Sequence, residues 1–320
     1  MLVPAKDEAG NLALFLQQCD ETFEPGSPRY EVIVIDDGSV DDSWAILQEL
    51  RSKYPFLRPI RHRSQRGIAE ALRTGYLVSR GEVLVFYPAD LQFKPENIPD
   101  LVAPILSGES DMVTGYKQGK YEKAFVSSIY NRLSRSLFHV PVRDLNNVKA
   151  YRREVMAALP MRPDWHRYMI VVAAAQGFSV SEVPIPLYPR HSGRSKFGLS
   201  RIPVGVLDML AVWFELRFGQ KPLLAFGMMG AGMFTLGVLS GVTALIWLLV
   251  TGQGQRWVWT LIQTCLVLGS IFFAIGLLGE QIAQQRAETR ELRRELDEAR
   301  RSSIAPDESA RDADDRLDRA

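Results

Sequence analysis

The chain has 320 residues, of which 47% are hydrophobic and 23% are charged, with 38 Lys plus Arg against 37 Asp plus Glu. A formal net charge of +1 provides no global field to gather polyanions, and no basic run is convincing, so we expect no nucleic-acid partner. The only two cysteines, Cys19 and Cys265, exclude a disulfide scaffold and a Cys-based zinc site, and they indicate a reducing compartment.

Residues 1–199 alternate short apolar runs with segments of helical character. The runs EVIVID and VLVFY are bounded by polar residues, which is typical of buried parallel strands. Met1 to Pro4 is too short for a full first strand, so either this strand is abbreviated or the start is truncated. The alternation predicts an α/β domain with a mostly parallel sheet. Strands are expected at 31–36 and 83–87, and helices at 43–54 and 67–79.

Carboxylates follow both of these predicted strands. Asp36 and Asp37 come after the first, and Asp90 comes shortly after the second. Ligands of such sheets bind at the carboxyl ends of the strands, where acidic groups can hold ribose hydroxyls or share a divalent cation with a diphosphate. No G-x-G-x-x-G follows a strand and no Walker lysine loop is present, which disfavours a dinucleotide reductase or an ordinary ATPase. For any single Asp, a turn or helix-cap role is the alternative.

The segment 200–221 predicts an amphipathic helix. Asp208 and Glu215 lie seven residues apart on its polar face. One interpretation is an interfacial helix on the membrane, and the alternative is a helix packed on the α/β domain. The apolar face comprises Val206, Leu207, Leu210, Trp213, Phe214 and Phe218.

Two stretches without a charged residue, 223–255 and 257–279, are each long enough to cross a bilayer. They predict a two-helix transmembrane hairpin over residues 222–279, in which glycines permit close helix contact. The alternative is a buried hairpin in a soluble core. Basic residues flank both ends of the hairpin, so the positive-inside rule places the α/β domain in the cytoplasm.

Beyond the hairpin, residues 280–301 predict a charged helix with Leu292 and Leu296 one turn apart. This pattern is too short for a coiled coil, so we expect a solvated single helix that could pair weakly with a partner. Residues 302–320 are predicted to be disordered.

Six elements together resemble the membrane-associated family 2 glycosyltransferases of the polyisoprenyl-phosphate type, which are dolichol-phosphate mannosyltransferase-like. The resemblance covers roughly residues 1–198 and implies a Rossmann-like, A-type nucleotide-sugar transferase domain. Its carriers are VPAKDEAGNL at 3–12, VIVIDDGSVDDS at 32–43, RGIAEALRTGYLVSRGEVLVF at 66–86, PADLQ at 88–92, SSIYNRLSRSLFHVPVRDLNNVKAYRREV at 127–155 and RHSGRSKFG at 190–198.

The resemblance also implies site residues. Asp90 and Asp144 would act at the reaction centre, and Asp90 with Gln92 would face a metal ion and the diphosphate. Ser39 would help to shape the turn after Asp37, and Gly67 would let the backbone approach the donor. The donor pocket would comprise Pro4, Lys6, Glu8, Asp36, Asp37, Gly67 and Asp90, and the acceptor phosphate would meet Ser128, Arg132, Arg143, Arg194 and Lys196.

Two positions depart from the family pattern. Pro88 stands where an Asp is usual, so one expected metal ligand is missing. Mg²⁺ or Mn²⁺ could still be held by Asp90, Gln92, water and diphosphate oxygens, because Mg²⁺ needs few protein ligands. Weaker metal dependence, an altered donor and lost activity all stay open. The second departure is Asn147-Val148 in place of Gly-Phe.

The function implied is inverting transfer of a sugar from a nucleoside-diphosphate sugar to a membrane lipid, a polyprenyl phosphate, for cell-envelope glycan synthesis. The implied location is the inner membrane, and the protein would be multi-pass with a cytoplasmic catalytic domain. Among the partners that could bind it is a second copy of the chain, in a homo-oligomer. Two rival functions are a catalytically weak nucleotide-sugar-binding membrane protein and a membrane scaffold whose C-terminal helix recruits partners.

Overall fold

A computed structural model of the chain divides into two compact units, Met1 to Trp213 and the part from Phe214 onward. The boundary lies within one helix. The structure describes residues 1–23, 29–118, 132–138, 140, 142–145, 147–160, 162, 165–189, 191, 202–254 and 256–304.

The first unit is built on a seven-stranded sheet with the order β3-β2-β1-β4-β6-β5-β7. Only β6 runs against its two neighbours, so the sheet is mostly parallel and the predicted α/β class is confirmed. The strands are β1 (Leu2–Ala5), β2 (Val32–Asp36), β3 (Leu57–Arg61), β4 (Val83–Phe86), β5 (Met112–Gln118), β6 (Lys149–Arg152) and β7 (Val180–Pro186).

Residues Met1 to Pro4, for which the sequence left open an abbreviated first strand or a truncated start, adjoin or belong to a strand inside the sheet. β1 has four residues and pairs with β2 along its whole length, with Leu2 opposite Ile33. Its other neighbour is β4, where Leu2 is opposite Phe86. β1 therefore has a paired strand on each side, with most of its ladder formed with β2.

Helices cover both faces of the sheet, and each face has its own apolar core. Alternate β2 residues divide between the two cores, with Val34 in one and Ile35 in the other. Helices α1, α2 and α4 line the first core, and α3, α5, α6 and α7 line the second. The helices of this unit are α1 (Ala9–Thr22), α2 (Ser43–Lys53), α3 (Ile68–Val78), α4 (Ile98–Leu106), α5 (Arg153–Ala158), α6 (Met169–Ala175) and α7 (Ile202–Phe218), which ends in the second unit.

Helix α7 has two apolar faces. Met209 and Val212 are buried in the second core, and the Tyr168 hydroxyl donates to the Gly205 carbonyl at 3.2 Å. This packing matches the alternative interpretation of the segment, a helix held against the α/β domain. The other face leaves Val204, Leu207 and Leu210 exposed. Membrane contact stays a prediction for that exposed face.

The second unit contains two long apolar helices, α8 (Pro222–Thr251) and α9 (Arg256–Ile304). Both are long and apolar enough to cross a membrane. Only 6% and 17% of their most apolar windows are buried, whereas a core hairpin in a soluble domain would be mostly buried. The helices pack through glycines, and a Cβ added to Gly230 would lie 2.8 Å from the carbonyl oxygen of Gly269. Helix α9 continues without a break into the charged segment predicted at 280–301.

Candidate active site at the strand tips

The carboxyl ends of β1, β2, β3 and β4 open on one edge of the sheet, because these four strands are parallel. Strand β6 begins at this edge, since Lys149 is opposite Phe86, the last residue of β4. The segments that leave this edge carry most of the predicted donor and metal residues. Topology therefore brings together groups that are far apart in sequence, as expected for a ligand site in an open α/β sheet.

Asp36 lies at the tip of β2 and is fully buried. Its Oδ1 accepts from the backbone N–H of Ser39 at 2.9 Å, which closes the turn that follows the strand. Its Oδ2 lies 3.2 Å from Nε of Arg61, at the tip of β3, and makes no hydrogen bond of good geometry. A buried carboxylate beside one guanidinium keeps acceptor capacity for a further donor group, which suits a base or ribose contact.

Asp37 supports the segment before α3 with both of its oxygens. Oδ1 accepts from the backbone N–H of Arg66 at 2.8 Å and Oδ2 from that of Gly67 at 2.8 Å. Nδ1 of His62 also lies 2.8 Å from Oδ1, and Nε2 of this histidine lies 3.0 Å from the Thr74 hydroxyl. Gly67 has φ of 90°, which an L side chain rarely adopts. Asp37 therefore fixes the backbone at Gly67, the glycine that is predicted to let the backbone approach the donor.

The segment after β1 is tied to the segment after β2. Nζ of Lys6 donates to the Gly38 carbonyl at 2.9 Å, and the backbone N–H of Glu8 donates to the Ser43 hydroxyl at 2.9 Å. The Glu8 carboxylate accepts from Asn11 at 2.6 Å. Pro4 is half-buried within β1. Lys6 and Glu8 thus help to fix the geometry of the predicted donor pocket.

The segment after β4 turns through a residue of unusual conformation. Leu91 has φ of 58° with a buried side chain, so Asp90 and Gln92 flank a strained position of the kind that clusters at functional sites. Oδ1 of Asp90 accepts from the Gln92 backbone N–H at 3.2 Å, and the Gln92 carbonyl accepts from the backbone N–H of Tyr188 at 2.9 Å.

This donor set fits a hard divalent cation that takes most of its ligands from elsewhere. Asp90 supplies a carboxylate and Gln92 an amide oxygen, and Mg²⁺ prefers oxygen ligands. Among the described residues, there is no group of three or more His, Cys, Asp or Glu side chains that could hold a metal ion. The set therefore fits a cation shared with a diphosphate better than a cation bound by protein alone.

Asp144 is buried beside two lysines. Its Oδ2 lies 3.2 Å from Nζ of Lys117, near the end of β5. Lys149, the first residue of β6, is fully buried and interacts electrostatically with Asp144 and Lys117. Burial lowers the pKa of Lys149 to about 7. Burial likewise lowers the pKa of His166, which Lys149 influences, to about 3.

The predicted acceptor-phosphate residues are only partly described. Arg143 is ion-paired with Glu182, 3.0 Å from its Nε, and its guanidinium lies 4.7 Å from the Tyr116 ring centroid. Arg132 is exposed in the helical stretch 132–138. The remaining three, Ser128, Arg194 and Lys196, lie outside the described residues.

Four site residues were missed from the sequence, namely Arg61, His62, Lys117 and Lys149. Arg61 ends a strand whose letters, LRPIR, hide its apolar alternation, and His62 directly follows it. For Lys149 a signal existed, because a lone lysine stands between the apolar residues Val148 and Ala150.

The family model for glycosyl transferase family 2 matches residues 1–158. The chain is 28% identical over 299 residues to undecaprenyl-phosphate 4-deoxy-4-formamido-L-arabinose transferase of Pseudomonas savastanoi pv. phaseolicola, covering 91% of this chain and 87% of that protein. It is 25% identical to dodecaprenyl-phosphate galacturonate synthase of Rhizobium johnstonii over 75% of this chain and 73% of that protein. Dolichol-phosphate mannosyltransferase of Pyrococcus furiosus is 30% identical over 61% of this chain and 58% of that protein.

Among solved structures, glucosyl-3-phosphoglycerate synthase from Mycobacterium tuberculosis in complex with Mn²⁺, UDP and phosphoglyceric acid has a similar fold. The TM-score is 0.54 at 19% identity, and the match covers 67% of this chain and 76% of that chain. At this identity the likeness concerns the fold, and it agrees with the predicted A-type architecture.

Proposed function

Because the chain carries a glycosyl transferase family 2 domain over residues 1–158, we propose that this glycosyltransferase moves a sugar from a nucleoside-diphosphate donor to a polyprenyl phosphate in the membrane. The observation that carries the proposal is the combination, in one chain, of carboxylates at neighbouring strand tips with two helices long enough to cross a bilayer. Sugar transfer to a lipid needs both a polar donor site and access to the membrane. Curated relatives that align over both parts are named for polyprenyl phosphates.

The donor would bind across the tips of β1, β2 and β4. Asp36 would accept from the base or ribose, while Asp37 would keep Gly67 in the conformation that lets the backbone approach the donor. Lys6 and Glu8 would complete the pocket from the β1 side. These roles rest on burial and hydrogen bonding that leave the tips rigid before the donor arrives.

Asp90 and Gln92 would hold Mg²⁺ or Mn²⁺ together with the diphosphate. The solved structure of similar fold binds Mn²⁺ and UDP, and the oxygen donors at this tip fit such an ion. When bound, the cation would offset the charge that develops on the departing nucleoside diphosphate. Pro88 leaves this tip with one carboxylate fewer than the family pattern, so we expect looser metal binding rather than loss of activity.

The acceptor chemistry would depend on position more than on proton transfer. A lipid phosphate is already an anion near neutral pH, so it needs no strong general base, and the transfer would invert the anomeric configuration. Asp144 would lie at the reaction centre, and Arg132 and Arg143 would approach the acceptor phosphate, as would Ser128, Arg194 and Lys196. Arginine suits this task because its guanidinium matches phosphate in charge and geometry.

The membrane segments would anchor the catalytic unit at the cytoplasmic face of the inner membrane. Basic residues precede α8 and follow the apolar part of α9, so both ends of the hairpin are predicted to be cytoplasmic. This placement would put the strand tips on the side where nucleotide sugars are made and lipid phosphates are accessible. A lipid-linked sugar for cell-envelope glycans would be the product.

The experiment is a transfer assay with the full chain in neutral detergent. A panel of labelled nucleoside-diphosphate sugars is offered with polyprenyl phosphate, and label is counted in the lipid extract. We expect one donor to give lipid-bound label that depends on the acceptor and on Mg²⁺ or Mn²⁺. Isothermal titration with nucleoside diphosphates accompanies the assay. Nucleotide binding without lipid-bound label from any donor would contradict the proposal.

A further inference from the structure

Lys149 is a buried cation to which the proposed reaction assigns no role. It is the first residue of β6, opposite Phe86 of β4 on one side and Thr114 of β5 on the other. Its side chain is fully buried, although lysine is among the residues least often buried. It occupies the sheet edge at which Asp144 and the β4 tip also lie.

The ammonium group has one hydrogen bond and several charged or aromatic neighbours. Nζ donates to the backbone carbonyl of Asn147 at 2.7 Å and lies 5.6 Å from the Phe86 ring centroid. The same ring faces the imidazole of His166, at 6.5 Å between centroids. The charges that act on Lys149 are those of Asp144, which favours the ammonium form, and Lys117, which opposes it.

Apolar burial alone does not account for a lysine here. Removing an ammonium group from water costs free energy. A buried lysine therefore stabilises the fold little, unless ion pairs and hydrogen bonds offset that desolvation cost in full. The depressed pKa of Lys149, about 7, reflects that cost. A methionine of similar length would fill the same space without the cost, because apolar replacements of buried charges are often neutral or stabilising. A stability argument therefore favours methionine at this position.

The hydrogen bond of Lys149 points to a different role. Asn147 lies three residues after Asp144 in the sequence, and its own Oδ1 accepts from the Val148 backbone N–H at 2.8 Å. The Val148 carbonyl in turn accepts from the backbone N–H of Gly115 on β5 at 3.0 Å. Lys149 thus holds the backbone at Asn147, next to the point where β5 holds Val148, and Asp144 lies a few residues before both contacts.

We propose that Lys149 is a positioning residue of the transfer reaction, which holds the Asn147 backbone and so fixes the nearby Asp144 carboxylate beside Lys117 at the reaction centre. The proposal rests on the proposed function, because it takes Asp144 to act in transfer. It adds that a lysine whose side chain is fully buried sets the geometry on which turnover depends.

The test begins with Lys149→Met in the full chain in neutral detergent. We expect kcat to fall about 10- to 100-fold, since small displacements of a reacting group have effects of this size. Donor affinity should stay within about threefold, because the fully buried Lys149 side chain exposes no atom to a bound donor. Lys53→Met makes the same chemical change at an exposed position of α2 and should leave turnover unchanged.

A double-mutant cycle with Asp144→Asn separates positioning from packing. If Lys149 acts through Asp144, Lys149→Met should lower turnover little further, within about threefold, once Asp144 is already Asn. If the losses multiply, Lys149 does not act through Asp144 and the proposal is wrong. Wild-type turnover in Lys149→Met also overturns it.

Hydrogen–deuterium exchange tests the anchoring itself and needs no activity. Lys149→Met should raise exchange in peptides covering 142–148, while β2 and β4 keep wild-type protection and the melting temperature does not fall. Unchanged exchange at 142–148 refutes the anchoring. A low melting temperature with faster exchange throughout the sheet assigns Lys149 to folding and also refutes it. A wild-type chain without transfer activity contradicts the proposed function, and the exchange result still decides on Lys149.

Discussion

Neighbouring aspartates at the strand tips differ in what surrounds their oxygens. Both oxygens of Asp37 accept backbone N–H groups from the turn before α3, and His62 adds a third contact. Asp36 instead has an oxygen that meets only the Arg61 guanidinium. The adjacent aspartates therefore differ: both oxygens of Asp37 shape the turn at Gly67, whereas one oxygen of Asp36 keeps acceptor capacity, which suits the ligand contact proposed for it.

We predict that Asp37→Asn weakens donor binding about tenfold. An Asn side chain offers one acceptor oxygen where Asp37 offers two, so its amide nitrogen would face a backbone N–H. The turn at Gly67 would then loosen, and the free energy of unfolding would fall by about 1–3 kcal/mol. Isothermal titration with nucleoside diphosphates and thermal unfolding measure both effects. Asp42→Asn is the matched control, because Asp42 is exposed and makes no capping hydrogen bond. Equal donor affinity in the two variants would contradict the prediction.

A second prediction concerns Asp90 at the β4 tip. Asp90→Asn should lower turnover about 100-fold or more, because it removes the carboxylate charge that helps to neutralise the diphosphate. The melting temperature should change little, since the side chain is only partly buried. Steady-state transfer kinetics and a melting curve test this, with Asp100→Asn on α4 as an exposed control. Wild-type turnover with normal melting would remove Asp90 from the metal side of the site.

Stability should depend on pH through Lys149. Its pKa is lowered from 10.5 to about 7 in the folded chain, so between these values the unfolded chain keeps a proton that the folded chain has lost. Stability therefore rises with pH in this window, with a slope of up to about 1.4 kcal/mol per pH unit, and the cost of burial is greatest below about pH 7. The Met1 amino group, whose pKa burial lowers to about 6, acts in the same direction.

Comparison with Lys149→Met isolates this contribution. The stability of the variant relative to wild type should be greatest near pH 6 and should shrink towards pH 9, because wild-type Lys149 then becomes neutral in the folded state. Melting temperatures of both proteins across this range provide the measurement. Parallel curves would show that Lys149 does not titrate in the window.

At the scale of elements, the sequence predicts those strands whose apolar letters are continuous. VIVID and VLVF are buried between two helical layers, so they carry the expected run, and both strands are confirmed. Strands β3 and β6 lack such a continuous apolar run and were not predicted. β3 (LRPIR) is an edge strand, and β6 (KAYR) begins at the polar edge of the sheet. Arg61 ends β3 and Lys149 begins β6, so these two residues were missed because their strands were missed.

The contacts between residues at different strand ends could not be predicted from the sequence either. Asp37 and His62 are 25 residues apart, and which strand lies beside which depends on the order of the whole sheet. Motif resemblance could place Asp144 near the reaction centre. It could not indicate that two lysines from neighbouring strands adjoin it, because that requires the antiparallel insertion of β6.

Helices α8 and α9 approach closely because glycines remove side chains at their contact. A Cβ at Gly230 would meet backbone atoms of Gly269 and Phe273 at 2.8 and 3.2 Å, and backbone cannot move aside as a side chain can. We predict that Gly230→Val forces the helices apart and destabilises the hairpin by about 1–3 kcal/mol, in the range of overpacked cores. Thermal stability in mild detergent measures this loss.

Gly232 provides the matched control for that prediction. A Cβ at this glycine meets nothing within 4 Å, so Gly232→Val changes the same helix by the same atoms without touching α9. The control should melt like wild type. Equal destabilisation of both variants would indicate a change within α8 rather than a lost contact between helices.

At the scale of the whole molecule, one chain combines an α/β unit with a unit whose apolar helices are predicted to lie in a membrane. The predicted orientation places the turn between α8 and α9 on the non-cytoplasmic side of the membrane and the charged part of α9 in the cytoplasm. In a background lacking Cys19 and Cys265, a cysteine at Gly254 should react with an impermeant reagent in intact cells, and one at Gln284 should react only after permeabilisation. The reverse labelling pattern would contradict the orientation.

Helix α9 is one unbroken element of 49 residues, about 74 Å at about 1.5 Å per residue. Less than half of that length is needed to cross a bilayer core of about 30 Å. The rest is a continuous helix without a hinge. A rotation of its membrane part about the helix axis would therefore rotate its far end as well. Each inserted residue would turn everything beyond it by about 100° and advance it by about 1.5 Å, whereas seven would nearly restore the facing direction. The far end of α9 is therefore held at a set distance and a set angle from the glycine contact.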